Sequence, residues 1–312
     1  MSSPSRFGRF AFAAAIALAS PAAPAISRNL FLPALAPTGS VRVAVRVLGN
    51  NMPLVECEID GRPCTLLFDT GATDTTIDAG FVRRELKDHK LEKVVLAGET
   101  NVTGEPSLVH AASLKVGAAE FSDFDLMVLD LSHLPKGIGE KVDGVLGMNV
   151  IGRVITLVSL GSGEAVFRPE RESLRDFTNL AERVKADFLS VALKARRGGK
   201  TIDLIVDSAS SFTFLSADTG WPTTGKELSL GATDVNANGN SLAPLEGEEG
   251  ELELGIPVKV KPLVVKEPMN RIGADALLRY DVLIGQFGRG AAFRPRQGAA
   301  SRTAAREKEE NR

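Results

Sequence analysis

The 312-residue chain has little of what many reactions are built from. It holds two cysteines, three histidines, one tryptophan and one tyrosine, and its charges nearly cancel to a net −2. His89, His110 and His133 are scattered without ligand spacing, so no histidine-built metal site is expected. There is no block of Lys and Arg, the isoelectric point is near 6.0, and the aromatics, 5% of residues, are mostly Phe. That leaves neither the basic footprint nor the stacking platform of a nucleic-acid binder. No Gly-x-Ser-x-Gly elbow, phosphate-binding glycine loop or His-Glu-x-x-His pair is present. Cys57 and Cys64 fall inside an expected hairpin rather than at a helix start, which disfavours a cysteine nucleophile. The apolar stretch Phe10 to Ala19 is too short to span a bilayer comfortably, so no stable membrane partner is expected.

What is there begins with an N-terminus of secretory type. Arg6 and Arg9 precede the apolar stretch, and Ala23-Pro24-Ala25 offers a small-x-small cleavage site. A twin-arginine pair and a nearby cysteine for lipid attachment are both missing. Residues 1–25 therefore read as a signal peptide, and the rest as exported. Residues 26–39 carry two prolines and no period, as a linker or an arm lying on the body would. Residues 297–312 are polar and charged, and read as a disordered tail.

The body is organised around Leu66-Leu67-Phe68-Asp69-Thr70-Gly71-Ala72-Thr73, an apolar strand that delivers a carboxylate to a tight turn. Core formation gains little from a charge placed there, because a buried carboxylate must be paired or shift its pKa. A related stretch, Leu204-Ile205-Val206-Asp207-Ser208-Ala209-Ser210, recurs later. Ahead of the first copy, Asp60-Gly61 forms a two-residue turn that pairs Ile59 with Arg62, Glu58 with Pro63 and Cys57 with Cys64. The two cysteines are then either a disulfide or two packed thiols. Gly147 to Pro169 can be laid on Gly273 to Pro295 without a gap, the match including Phe167-Arg168-Pro169 and Phe293-Arg294-Pro295. An internal duplication accounts for this. It divides the chain into a first lobe at 40–169, a connecting segment at 170–186 and a second lobe at 187–296. The spacing of Leu174, Phe177, Leu180 and Val184 predicts a helix in the connecting segment.

Two related units, each presenting an Asp at the same point of a turn, invite an arrangement about a pseudo-twofold axis. Two adjacent carboxyls share a proton. The ionised one can deprotonate a water, and the protonated one can polarise a carbonyl and feed a proton to the leaving amine.

Asp69-Thr70-Gly71-Ala72 after an apolar strand, with Gly144-Val145-Leu146-Gly147 following, resembles the aspartic proteases of the pepsin and retropepsin type. The closest likeness is to exported bacterial proteins with two retropepsin-like units in one chain. The resemblance implies an all-β, bilobal fold with pseudo-twofold internal duplication, and an aspartic endopeptidase of the periplasm or the secreted space. Asp69 and Asp207 would be the catalytic pair, and Thr70, Gly71, Ala72, Ser208 and Ala209 would support their loops. Ala97, Gly98 and Glu99 would belong to a flap over the cleft. It implies a peptide or protein substrate, a two-lobed monomer, and no cofactor or metal. The second copy departs from the pattern. Ala209 stands where the family has glycine, and a turn that needed positive φ there would be strained by about 1 kcal/mol or more. Arg271 and Ile272 replace the earlier Val145 and Leu146. Two other readings follow: a peptide-binding protein that keeps the cleft without the chemistry, and a homodimer in which Asp69 pairs with its own copy.

Overall fold

The computed structural model describes residues 32–94, 106–177, 179–184, 190–228 and 243–296. The first unit opens with β1 (Val41–Ala44), followed by the hairpin β2 (Pro53–Ile59) and β3 (Arg62–Phe68). Period-2 alternation drives this hairpin: Val55, Cys57 and Ile59 turn inward while Glu56 and Glu58 face water. Asp60 and Gly61 both have positive φ, as the tight turn between right-twisted strands requires. The register is the one expected, with Cys57 opposite Cys64. Both thiols are free and buried, and burial pushes the Cys57 thiol well up.

The unit continues through β4 (Thr76–Asp78), the short helix Ala79–Glu85, β5 (Ser107–Val116), β6 (Ala119–Leu129) and β7 (Gly144–Leu146). It ends on the pair β8 (Thr156–Ser159) and β9 (Glu164–Phe167). β7 is inserted between β3 and β4, parallel to the first (Leu67 opposite Val145) and antiparallel to the second (Thr76 opposite Val145). β4 in turn runs parallel to β6, with Thr76 opposite Met127. Phe68, Phe81, Phe121 and Phe167 are fully enclosed beneath these strands, each contributing roughly 1.5–3 kcal/mol by burial.

The second unit is built in the same order. Its strands are β10 (Ala192–Arg197), β11 (Lys200–Val206), β12 (Phe214–Ser216), β13 (Leu263–Val265) and β14 (Arg271–Ile272). β15 (Tyr280–Ile284) and β16 (Ala291–Pro295) close it. β14 lies parallel to β11, with Ile205 opposite Arg271, and antiparallel to β12, with Phe214 opposite Arg271. β12 is parallel to β13, Phe214 lying opposite Leu263. The architecture is an all-β fold of aspartic-protease type.

A five-stranded sheet in the order β1-β9-β8-β15-β16 joins the units. At its centre Thr156 faces Ile284 and Val158 faces Val282. Moving each first-unit residue forward by the offset that carries Gly147 to Gly273 takes Thr156 to 282 and Val158 to 284, so the two pairings exchange. The sheet therefore has a local pseudo-twofold axis at Leu157 and Leu283.

One segment differs from expectation. The connecting stretch is not a helix: residues Arg171–Leu174 form one 3-10 turn, and Glu182–Arg183 pairs with β10. Leu180, on the expected apolar stripe, is 71% exposed and bridges Ala292 by its backbone, so the segment is an extended strap. A short strand at Leu91–Lys93 also pairs with β5. Of the N-terminal arm, residues 32–39 lie along the outside of the first unit, where Leu35 bridges Ser122 and Arg153 donates to the Pro33 carbonyl at 2.8 Å. The expected signal peptide and tail lie outside the described residues. Among the described residues no helix is long and apolar enough to cross a membrane.

Candidate active site

The fold brings the two Asp turns face to face. Asp69 follows β3 and Asp207 follows β11, and each backbone N–H donates at 3.0 Å to the strand crossing behind it, at Leu146 and Ile272 respectively. Behind each loop the next turn is equally matched. Met148 N–H donates to Ala72 O at 2.9 Å, and Ala274 N–H to Ser210 O at 2.7 Å. Gly147 and Gly273 allow this approach: a Cβ at Gly147 would lie 2.5 Å from the Asp74 carbonyl carbon, and one at Gly273 would lie 2.2 Å from Phe212 O.

Thr70 and Ser208 lock the loops reciprocally. Thr70 Oγ1 donates to Val206 O at 2.7 Å and accepts from Ser208 N–H at 3.0 Å. Ser208 Oγ donates to Phe68 O at 2.6 Å and accepts from Thr70 N–H at 3.0 Å. Four buried polar groups from two distant strands are thereby satisfied by two hydroxyls. A further tether runs from Ser211 Oγ to Asn50 O at 2.7 Å.

Between the locks lie two fully buried carboxyls. Asp69 Oδ1 accepts from Gly71 N–H at 2.7 Å and Ala72 N–H at 3.0 Å, while its Oδ2 has no partner among the described residues. Asp207 Oδ1 accepts from Ala209 N–H at 3.1 Å. Burial, and then the charge of Asp207, push the Asp69 carboxyl well above the usual carboxylate range, against the two N–H groups and Arg271.

Gly71 is required by proximity: a Cβ there would lie 2.6 Å from Asp207 Cγ. The strain expected at Ala209 does not arise, because its φ is not positive. Its methyl is buried in an apolar cluster with Leu67, Ala72 and Val145 of the first unit.

Residues 55–150 match the aspartyl protease family model. The match begins in β2, takes in Asp69 and ends in the helical turn after β7; Asp207 lies beyond it. No curated protein matches the chain. The aspartyl protease match supports an aspartic-type peptidase.

The site also holds a residue that sequence reasoning passed over as a mere departure. Arg271 Nη1 lies 2.6 Å from Asp207 Oδ2, and the arginine side chain is only 10% exposed. The signal was a cation at the place in β14 where β7 has Val145. Burying a guanidinium there requires an anion within reach. Asp275, one turn further on, stands where the first unit has Asn149. It accepts from Thr213 Oγ1 at 2.9 Å, and burial pushes its carboxyl up to about 6. Ala97, Gly98 and Glu99, the expected flap, lie outside the described residues. Among the described residues no cluster of three or more His, Cys, Asp or Glu is placed to hold a metal.

Proposed function

We propose that the protein is an aspartic endopeptidase that hydrolyses peptide bonds with a water held between Asp69 and Asp207. The observation that carries this is the reciprocal hydroxyl lock, which holds two fully buried carboxyls together at matching points of two units. The water oxygen bonds to the peptide carbonyl carbon. One carboxylate takes the water's proton, and the other carboxyl gives its own to the carbonyl oxygen. As the carbon–nitrogen bond breaks, the amine leaves with a proton from the pair. Thr70 and Ser208 fix the loops, and the Gly71 and Ala72 N–H groups hold Asp69 so that Oδ2 is the oxygen left for water or substrate. The matching registers of the two units favour an origin by internal duplication. The N-terminal sequence favours export to the periplasm or beyond, and one chain supplies both carboxyls without a second copy.

A second reading is favoured by the ion pair of Arg271 with Asp207. A carboxylate tied to a cation is a poorer base, and a cleft retained without turnover would bind peptides only. Cleavage of a peptide library by the full chain, scanned from acid to neutral pH beside Asp69→Asn and Asp207→Asn, separates the two. Turnover lost in both variants is the expected result. A folded wild type that binds peptides and cleaves none at any pH leaves the second reading.

A further inference from the structure

The two carboxyls are not equivalent. Each oxygen of Asp207 accepts a hydrogen bond, Oδ1 from the Ala209 N–H at 3.1 Å and Oδ2 from Arg271 Nη1 at 2.6 Å, and each keeps a further lone pair for water. Asp69 has one oxygen held by two N–H groups, and Oδ2 has no partner among the described residues. Arginine does not lose its proton in proteins, so the cation is permanent. Its side chain is nine-tenths buried, and among the described residues Asp207 is the anion paired with it. Two carboxylates and one guanidinium in this dry space would leave a net negative charge. One carboxylate and one guanidinium leave none.

We propose that Arg271 is a positioning residue that fixes the charges of the resting pair, holding Asp207 as its anion and leaving Asp69, through Oδ2, as the carboxyl that carries the proton before substrate is attacked. The charged groups acting on Asp69 are Asp207 and Arg271, and the first outweighs the second. The inference rests on the reading of these two carboxyls as a working pair, and gives them fixed and unlike roles. Asp69 is the acid that meets the substrate carbonyl, and Asp207 is the carboxylate that faces the water.

The test is carbon-13 NMR of the full chain labelled at the Asp carboxyl carbon, titrated from acid to neutral pH. Asp69→Asn and Asp207→Asn assign the two signals. The expected result is a carboxyl that keeps its proton above the usual carboxylate range and whose signal disappears in Asp69→Asn, while the signal lost in Asp207→Asn is that of a carboxylate. In Arg271→Met the two signals should move together, and the pair should take up its second proton at a higher pH than in the wild type. Arg271→Lys should restore the wild-type order. A wild-type proton on Asp207, or an order unchanged in Arg271→Met, overturns the proposal. The wild-type spectrum decides even if Arg271→Met does not fold. Peptide cleavage is read separately: absent cleavage with the proton on Asp69 overturns the protease reading alone, and cleavage with the proton on Asp207 overturns this inference alone.

Discussion

Arg271 reaches Asp207 at 2.6 Å from the position in its strand that Val145 holds in the first unit. The same backbone place thus carries an apolar side chain behind one Asp and a cation against the other. Removing the anion leaves a buried charge without a partner, which costs about 3–5 kcal/mol. Asp207→Asn should therefore destabilise the protein by roughly that amount in urea unfolding. Asp69→Asn, which replaces a carboxyl already disfavoured as an anion, should cost less than about 1 kcal/mol. Asp207→Asn combined with Arg271→Met should recover most of the loss.

Gly71 and Ala209 head equivalent turns and should respond in opposite ways. Gly71→Ala drives a methyl into the Asp207 carboxyl, a side-chain end pinned by the Ala209 N–H and Arg271. Displacing a reacting group by an ångström lowers turnover about 100-fold, and kcat for peptide cleavage should fall by that order. Ala209→Gly removes one buried methyl, costs about 1 kcal/mol, and should leave kcat within a few-fold of wild type.

Thr70→Val keeps the shape of the side chain and removes its hydroxyl. Ser208 N–H and Val206 O then lose their partner in a site closed to water. Each orphaned group costs about 1–3 kcal/mol, so a loss of about 2–6 kcal/mol is expected from chemical denaturation. Adding Ser208→Ala should cost less than its single effect, because both hydroxyls serve one joint.

Asp275 makes stability depend on pH. Its carboxyl is raised from 3.8 to about 6 in the folded protein. Below about pH 4 both folded and unfolded forms are protonated, and the group contributes no difference. As pH rises towards 6 the unfolded chain releases its proton first, so stability falls, and above 6 the loss is complete. Asp275→Asn keeps the acceptor for Thr213 and matches Asn149 of the first unit. It should be near neutral at pH 4 and stabilising by on the order of 2 kcal/mol at pH 7, read as a Tm difference that opens with pH.

Cys57 and Cys64 are both buried, and the Cys57 thiol is pushed up. Thiolate is the reactive form. A thiol reagent at pH 7 should label neither cysteine in the native protein, and both once it is unfolded.

Much of this was legible in the residues because it rests on short-range rules. The Asp60-Gly61 turn set the register of its hairpin, and with it the pairing of Cys57 with Cys64. The gapless match of Gly147–Pro169 on Gly273–Pro295 marked two stretches that correspond, but not that their strands pair at the centre of one sheet. The role of Arg271 was not legible, since period and spacing do not say what lies across a sheet from a side chain. Its role follows only from β14 lying beside β11, where Arg271 stands opposite Ile205, two residues before Asp207. The strap at 170–184 failed for a related reason. Apolar residues at intervals of three and four fit a helix, but Leu180 makes its contact through the backbone and leaves its side chain in water.

The joining sheet bears on how the chain reaches its folded state. β1 waits for β9, more than a hundred residues later, and β8 waits for β15 at a similar distance. Each of these pairings closes a long loop before it gains a contact, which makes such steps slow. During synthesis the first unit can build its own sheet, but one edge of β8 stays open until Tyr280–Ile284 arrives. Until then Thr156, Leu157 and Val158 offer an unpaired strand edge of the kind that recruits other chains. Pairing of β8 with β15 is thus a late step that leaves an edge open until it happens, and it joins the two units that carry Asp69 and Asp207.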